Sequence, residues 1–286
     1  MINFDRQRRN VLRLAGAGIA TGALGGLVRP ASAAPLTMAD VKKNGELRIG
    51  CEAAYVPLTF RDAKGDIVGY DVDLLNILVK AAGVKASFID TQWSGVIPAL
   101  YAGRFDMITT LSYTKERMER VLFSIPYADA SQALLIRVED KDKIKTVQDL
   151  SGKVLGVKLG SPGETLQKKL DADMKAQRGA GFSAVKTYDD HPAAYLALAQ
   201  GTVDGVLNTV PTLAQVLKDR PGKYAIIYNV STQNWHGFGF RKEDTEVCNY
   251  INDQLRAAKK SGQIAALQDK WFGFRMDLAD QPPTFS

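Results

Sequence analysis

An α/β fold with two similar halves is predicted by the order of elements along the chain. Apolar runs of strand length alternate with amphipathic segments of helix length between residues 46 and 218, a pattern typical of α/β layers. The same order occurs twice, and in each half a Gly-x-x-Asp turn precedes a strand, at 103–106 and again at 201–204. The 253 residues that follow position 33 can bury one large core or two medium ones. The repeat therefore predicts two α/β lobes.

The first 33 residues have the organisation of an export signal. A twin arginine, Arg8-Arg9, precedes an uncharged apolar stretch at 14–28, which is too short to span a bilayer comfortably. A small-x-small pattern follows at 31–33. We interpret the segment as a twin-arginine signal peptide cleaved after Ala33, so the mature protein is expected in the periplasm. The alternative, an amphipathic helix of the folded domain, is disfavoured because the stretch has no polar face.

Most of the excess positive charge belongs to this segment. The full chain has 37 Lys+Arg and 31 Asp+Glu, and residues 1–33 contain five arginines and one aspartate, so the remainder has a net charge of +2. Without a basic patch interleaved with aromatic residues, nucleic acid is not predicted as a partner. Two cysteines, Cys51 and Cys248, could form a disulfide in an oxidising compartment, but their apolar neighbours favour two buried thiols.

The elements of the first half follow from apolar periodicity and from the residues that end them. Asn44-Gly45 is a typical helix stop, and 62–65 has the composition of a tight turn. Asp71 and Asp73 give one helix an acidic first turn, and Gly83 ends it. The predicted elements are a helix at 41–45, strands at 46–50, 59–61 and 67–70, a helix at 71–82, a strand at 86–90, a helix at 97–103 and a strand at 105–108.

The second half follows a charged tract at 138–143 and repeats the scheme. Asp190, two residues before Pro192, is the N-cap expected of a helix with proline in its first turn. The predicted elements are strands at 133–136 and 154–157, a loop at 159–166 that opens a helix, a strand at 184–188, helices at 192–200 and 211–218 around a strand at 203–207, and a helical amphipathic tail at 244–271.

A strand that ends in hydroxyl residues leads into the helix that contains Arg117. Thr109, Thr110 and Ser112 supply the hydroxyls, and Thr114 is the predicted N-cap of the helix. An arginine stays charged and can meet a carboxylate bidentately, while hydroxyls and helix-start N–H groups complete the hydrogen bonds of the anion. The stretch therefore indicates a carboxylate receptor. The alternative is a plain strand, turn and helix cap with a solvated arginine.

Seven short motifs within residues 46–274 carry a resemblance to a known family. They are Leu47-Arg48-Ile49-Gly50 with Tyr55-x-Pro57; Gly65-x-x-x-Gly69-Tyr70-Asp71-Val72-Asp73-Leu74; residues 93–100; 105–117; 123–127; 150–157; and 239–244. In this order they resemble the periplasmic polar-amino-acid-binding proteins of ABC importers, the family-3 solute-binding proteins.

The resemblance implies a type II periplasmic-binding-protein fold, in which two α/β lobes joined by two hinge strands close over a ligand. It places lobe 1 at 34–129 plus 236–286 and lobe 2 at 130–235, with hinges near 128–130 and 235–237. It also implies a monomer without a cofactor that passes a small carboxylate-bearing solute, a polar or basic amino acid or a derivative, to an ABC permease in the inner membrane.

Family roles are implied for individual residues of the cleft. Arg117 matches the arginine that holds the α-carboxylate of the ligand, and Thr110 and Ser112 match contacts beside it. Tyr55 and Trp93 match the two apolar walls that enclose the ligand side chain, although such rings also occur as ordinary core aromatics.

Five further cleft residues bear on the resemblance, and two of them, Pro162 and Thr209, depart from the family pattern. Glu52 matches an acid that faces the side-chain cation in binders of basic amino acids, or it is a solvated acid at the cleft mouth. Pro162 lacks an N–H in the loop that matches the second carboxylate clamp, so Ser161 and the amide of Gly163 are expected to compensate. Thr209 stands where the family usually has an aspartate for the α-ammonium of the ligand. An ammonium buried without a carboxylate is costly, so another acid serves or the ligand is not an ordinary α-amino acid.

An enzyme is the alternative function, since some exported relatives of the family are cyclohexadienyl dehydratases acting on prephenate or arogenate. Such an enzyme would use Arg117 for the carboxylate and Glu164 for proton transfer. His191 is predicted to be a surface residue at a helix start, and His236 lies by the predicted hinge, where it could line the cleft. The sequence shows no metal-binding spacing, nucleophile elbow or phosphate loop.

Overall fold

The computed structural model describes residues 34–285, so the predicted signal peptide lies outside the described residues. The strands are β1 (Glu46–Cys51), β2 (Ala54–Tyr55), β3 (Thr59–Arg61), β4 (Ile67–Val68), β5 (Lys85–Asp90), β6 (Met107–Ser112), β7 (Leu122–Phe123), β8 (Ala128–Asp129), β9 (Gln132–Arg137), β10 (Val154–Lys158), β11 (Ala184–Tyr188), β12 (Gly205–Thr209), β13 (Tyr224–Ile227) and β14 (Trp235–Phe240).

The α-helices match the predicted order. They are α1 (Met38–Asn44), α2 (Tyr70–Lys80), α3 (Val96–Tyr101), α4 (Lys115–Arg120), α5 (Pro162–Arg178), α6 (His191–Ala199), α7 (Val210–Asp219), α8 (Thr245–Lys260) and α9 (Gln263–Trp271). The predicted helical tail at 244–271 is helical, as two helices. It is broken into α8 and α9 at Gly262, whose φ of 80° lies in the left-handed region.

The predicted repeat is visible in the two large sheets. The first sheet has the order β5-β1-β6-β14-β7, with β8 paired to β14, and the second has the order β11-β10-β12-β9-β13. In the first sheet β1 runs parallel to β5 and β6, and in the second β10 runs parallel to β11 and β12. Because loops at the carboxyl ends of parallel strands form binding crevices, the two sets of loops after these strands are the expected site.

Both sheets are covered on their two faces. Every residue of β6 and of β12 is buried, as expected for central strands with helices on either side. Two apolar clusters flank the first sheet, one around Tyr70, Tyr127 and Phe238 and the other around Phe105. Two more flank the second sheet. Each sheet therefore has its own core.

Two chain segments connect the sheets, and they lie side by side. Trp235 and His236 at the start of β14 pair with Asp129 and Ala128 of β8, and the amide of Ala130 donates to the carbonyl of Asn234 at 2.9 Å. These paired segments lie beside the predicted hinges. The lobe limits at 34–129 plus 236–286 and 130–235 stay a prediction.

Two further observations concern the cysteines and the membrane. Cys51 and Cys248 are both buried and unpaired, in agreement with the prediction of buried thiols. None of the helices described within residues 34–285 is long and apolar enough to cross a membrane.

Candidate functional site

A small cavity lies between the loops of the two sheets. Its volume of about 20 Å³ has room for roughly one water molecule. Seven of the ten predicted site residues line it: Glu52, Tyr55, Trp93, Thr110, Ser112, Ser161 and Thr209. The lining also contains six residues outside that set: Gln132, Lys158, Pro162, His191, Asn208 and His236.

The two sets of loops touch each other directly across this cavity. The hydroxyl of Tyr55 donates to Oδ1 of Asn208 at 2.9 Å and lies 3.0 Å from the hydroxyl of Thr209. The indole Nε1 of Trp93 donates to the carbonyl of Gly160 at 3.2 Å. Both aromatic residues are 8% exposed, so the two predicted walls are nearly closed against the opposite loops.

Glu52 is paired with a lysine of the same protein, contrary to the expectation that it faces a ligand cation or solvent. Its carboxylate accepts a hydrogen bond from Nζ of Lys158, and only 3% of the Lys158 side chain is exposed. Burial raises the pKa of Glu52 and lowers the pKa of Lys158, while the charge of each residue opposes the shift of the other.

The ammonium of Lys158 lies against both aromatic walls. Its Nζ is 4.8 Å from the ring centroid of Trp93 and 5.5 Å from that of Tyr55, within the range of a cation–π interaction. The sequence contained a signal for this residue. Lys158 is a lysine at the carboxyl end of a strand whose preceding residues, Leu155 and Val157, are apolar and buried.

Arg117 lies at the edge of the cavity and not in its lining. Its two terminal nitrogens donate to the carbonyl of Ser112 at 3.0 Å and to the carbonyl of Gly160 at 2.8 Å. Its Cζ is 5.5 Å from the centroid of Trp93. No carboxylate of residues 34–285 lies within ion-pair distance of the guanidinium, and burial lowers the pKa of Arg117 to about 10. At neutral pH the side chain is therefore a cation held by neutral carbonyls.

The first turn of α4 determines the position from which the Arg117 side chain extends. Thr114 is the N-cap, and its hydroxyl accepts from the amide of Arg117 at 3.2 Å. The predicted cap is therefore present, and it orders the turn from which the arginine side chain extends.

Thr109 and Thr110 belong to a hydroxyl cluster around a buried carboxylate. Oδ2 of Asp71 accepts from Thr109 at 2.6 Å, from Tyr127 at 3.0 Å, from Thr59 at 3.3 Å and from Thr110. The prediction that Thr109 contacts a ligand is not supported by its placement, since its side chain is fully buried in this cluster. Thr110 lines the cavity as well, with a φ of 58°.

Both histidines are buried in the cavity wall. The prediction that His191 is a surface residue is wrong, because it is 5% exposed and stacks on Tyr55 at 5.4 Å. Asp190 alone caps the helix, accepting from the amide of Ala193 at 2.8 Å. Nδ1 of His236 is 3.2 Å from the hydroxyl of Ser112. Burial lowers the pKa of His236 to about 3 and that of His191 well below its ordinary value, so both rings are neutral at physiological pH.

One ring nitrogen of each of these histidines has no hydrogen-bond partner in the described part of the chain. They are Nδ1 of His191 and Nε2 of His236, and both atoms are buried. Buried polar groups without partners are uncommon in folded proteins, and each one requires an explanation. Here they belong to residues that line the cavity.

The loop before α5 is organised by its own helix start. The hydroxyl of Ser161 accepts from the amide of Glu164 at 3.3 Å, and Pro162 occupies the first turn. Gly163, whose amide is predicted to contact the ligand, is not among the residues that line the cavity. A Cβ at this position would lie 3.1 Å from Cβ of Leu207 on β12. The carboxylate of Glu164 accepts from the amide of Gly160 at 2.6 Å.

Thr209 contributes a hydroxyl where a carboxylate would be expected. Its Oγ1 is 3.0 Å from the hydroxyls of both Tyr55 and Thr212. Glu52 is the single acidic residue of the cavity lining. No group of three histidine, cysteine, aspartate or glutamate side chains within residues 34–285 is placed to hold a metal ion.

The sequence matches the family model for bacterial extracellular solute-binding proteins, family 3, over residues 47–274. The L-cystine-binding protein TcyJ of Escherichia coli K12 is 31% identical over 234 residues, which cover 82% of this chain and 85% of that protein.

Two solved structures are also similar. An ancestral arginine-binding protein bound to arginine has a TM-score of 0.72 and 35% identity, covering 80% of this chain and 99% of that one. The ancestral amino acid-binding protein AncCDT-1, a precursor of cyclohexadienyl dehydratase, has a TM-score of 0.72 and 33% identity, covering 82% and 98%.

Proposed function

The chain belongs to family 3 of the bacterial extracellular solute-binding proteins, and from this membership we propose that it captures a small carboxylate-bearing solute for an ABC importer. Its fold is the two-lobed type II fold that the sequence predicts. The L-cystine-binding protein and the ancestral arginine-binding protein are binding proteins for amino acids, which favours an amino acid or a related carboxylate as the solute here. The proposed place of binding is the cleft between the two lobes.

The state of Arg117 is the observation that supports a carboxylate most strongly. The guanidinium is half-buried at the cleft and donates only to neutral carbonyls among the described residues. Hydrogen bonds between two charged groups are roughly twice as strong as neutral ones, and a carboxylate matches the guanidinium bidentately. A ligand carboxylate would therefore form stronger hydrogen bonds with the guanidinium than these carbonyls do. It would lie beside the hydroxyl of Ser112 and the backbone of Thr110.

Capture requires the lobes to separate. A cavity of about 20 Å³ is far smaller than any amino acid, so we infer an open form that admits the solute. The proposed hinges are the paired segments near 128–130 and 235–237, and the proposed lobes are 34–129 plus 236–286 and 130–235. Closure would exclude water and present both lobes to a permease. Export by residues 1–33, a periplasmic location and a monomeric state complete the proposal.

A dehydratase has less support. The acid proposed for proton transfer, Glu164, is held by the amide of Gly160 and does not line the cavity. The two buried histidines are neutral, and the positive charges of Lys158 and Arg117 lower their pKa further, which disfavours either ring as a general acid.

The test is a thermal-shift screen of residues 34–286 after unfolding and refolding to remove bound solute. A ligand at about a hundred times its dissociation constant adds about 2.7 kcal/mol, a shift of several degrees. We expect a shift with at least one carboxylate solute and its loss in Arg117→Ala. Arg256→Ala is the matched control, because Arg256 forms an exposed pair with Asp253 on α8. An equal shift in Arg117→Ala would refute the proposed site.

A further inference from the structure

Lys158 places its ammonium against both aromatic rings of the cavity wall. Its ammonium lies 4.8 Å and 5.5 Å from the centroids of Trp93 and Tyr55, and it is bound by Glu52. An acid behind two aromatic faces is an arrangement that attracts a cation. In this protein that cation is already supplied by β10.

A second cation at this position would be strongly opposed. Two unit charges of the same sign at close range repel each other, and the repulsion is larger where water is excluded. Only 3% of the Lys158 side chain is exposed, and the single acid of the cavity lining is already paired with it. A solute with a basic end could bind there only beside a second positive charge or by displacing Lys158 from Glu52.

The cavity also offers unused hydrogen-bonding capacity. An ammonium has three N–H donors, and Glu52 is the one partner of Nζ within residues 34–285. The buried nitrogens Nδ1 of His191 and Nε2 of His236 have no partner there either. A group with several lone pairs would engage the ammonium and whichever of these neutral nitrogens carries a proton.

Other acids near the cavity are occupied elsewhere. Asp90 at the cleft mouth pairs with Arg61 at 3.0 Å, and Asp190 caps α6. Thr209 contributes a hydroxyl where the family resemblance implies an aspartate. Arg117 and Lys158 therefore outnumber the single acid, Glu52, in and beside the cavity.

We propose that Lys158 is the resident cation of the aromatic subsite and determines specificity, so that the protein selects carboxylate solutes with an acidic distal group and rejects those with a basic one. The distal group is the end of the solute away from Arg117. This inference rests on the proposed function.

The test compares three solutes of similar size with different distal charge: glutamate, glutamine and ornithine. Isothermal titration calorimetry is carried out on the wild type, on Lys158→Met, and on the double variant Glu52→Gln/Lys158→Met. In the wild type we expect glutamate to bind most tightly and ornithine at least about tenfold more weakly. In Lys158→Met, Glu52 becomes available to a ligand cation, and we expect ornithine to bind about tenfold more tightly than it binds the wild type.

The double variant removes both charges and is the matched control, because replacing a buried ion pair by neutral residues of similar volume is often tolerated. We expect it to bind the three solutes with similar affinity. A wild type that binds ornithine as tightly as glutamate, or a folded Lys158→Met variant without improved ornithine binding, would overturn the inference. If Lys158→Met does not fold, a preference for glutamate that persists in the double variant would overturn it. Failure of the proposed function is distinguishable, since Arg117→Ala would then leave all affinities unchanged.

Discussion

Asp71 is a fully buried carboxylate that is solvated by side-chain hydroxyls. Four hydroxyls donate to its Oδ2, while Oδ1 has no partner among the described residues. Burial raises the pKa of Asp71 to about 6, although the hydroxyls oppose the shift. One of the four donors, Thr110, also lines the cavity. The carboxylate therefore helps to hold the backbone on which the site is built.

The raised pKa predicts how stability depends on pH at this residue. The unfolded pKa is near 4, so the folded protein binds a proton more tightly between pH 4 and 6 than the unfolded chain does. The contribution of Asp71 to stability is therefore largest below pH 4 and is lost as pH rises to 6. Because the pKa rises from near 4 to about 6 on folding, the loss in the free energy of unfolding is about 3 kcal/mol. The measurement is urea unfolding of the wild type and of Asp71→Asn from pH 4 to 7. The difference between their free energies of unfolding at each pH reports the contribution of Asp71.

The Asp71→Asn variant isolates this effect from other titrations. Changes in hydrogen bonding caused by the substitution are independent of pH, so they add a constant to the difference. We expect Asp71→Asn to gain stability relative to the wild type as pH rises through 6. A difference that stays constant across this range would show that Asp71 has an ordinary pKa.

The residues of the site differ in how well the sequence predicts them. Tyr55, Trp93 and Ser112 lie within motifs and were found in the cavity wall. The pair of Glu52 and Lys158 was not predicted, because its members are 106 positions apart in sequence and meet only when the lobes face each other. The burial of His191 could not be predicted, because a histidine before a proline at a helix start can lie on the buried face or on the exposed face of the helix.

At the scale of elements, periodicity and end signals were sufficient for most of the fold. Strands β1, β5, β10 and β11 and helix α6 lie within a residue or so of the predicted limits. The break between α8 and α9 was not predicted, since a glycine inside an amphipathic pattern is compatible with a continuous helix. The pairing order of the sheets could not be derived from local pattern, because β14 joins the first sheet from the far end of the chain.

We expect the N-cap of helix α4 to contribute both to protein stability and to ligand affinity. Replacement Thr114→Ala removes the N-cap hydroxyl and should cost about 1 kcal/mol of stability. Because that hydroxyl accepts from the amide of Arg117, we expect ligand affinity to fall as well. Chemical unfolding and ligand titration of the same variant measure the two effects.

Thr37→Ala provides the comparison for this helix. Thr37 is the N-cap of α1 and accepts from the amide of Asp40 at 3.1 Å, on an element that does not line the cavity. A similar loss of stability without a change in affinity is expected there. If both variants bind ligand like the wild type, the cap of α4 has no part in placing Arg117.

At the scale of the whole molecule, hydrogen bonds across the cleft stabilise the closed arrangement of the two lobes. Tyr55 contributes two of them, to Asn208 and Thr209. We expect Tyr55→Phe to weaken the closed form by about 1 kcal/mol, the typical net contribution of a hydrogen bond. Small-angle scattering of the ligand-free variant should then show a larger radius of gyration than the wild type.

Tyr250→Phe is the matched variant for this measurement. The hydroxyl of Tyr250 donates to the carbonyl of Leu78 at 3.2 Å, within the core of the first sheet. Its removal should leave the radius of gyration unchanged. Equal radii for wild type, Tyr55→Phe and Tyr250→Phe would indicate that the hydroxyl of Tyr55 does not contribute to closure.

The position of β14 has a consequence for how the chain is made on the ribosome. This strand lies between β6 and β7 in the first sheet, yet it follows the whole second sheet in sequence. The second sheet is one continuous stretch and can form as soon as it has been synthesised. The first sheet must wait, with the edge of β6 unpaired and open to association with other chains. Translation that stops before residue 235 therefore yields one complete lobe attached to an unfinished one.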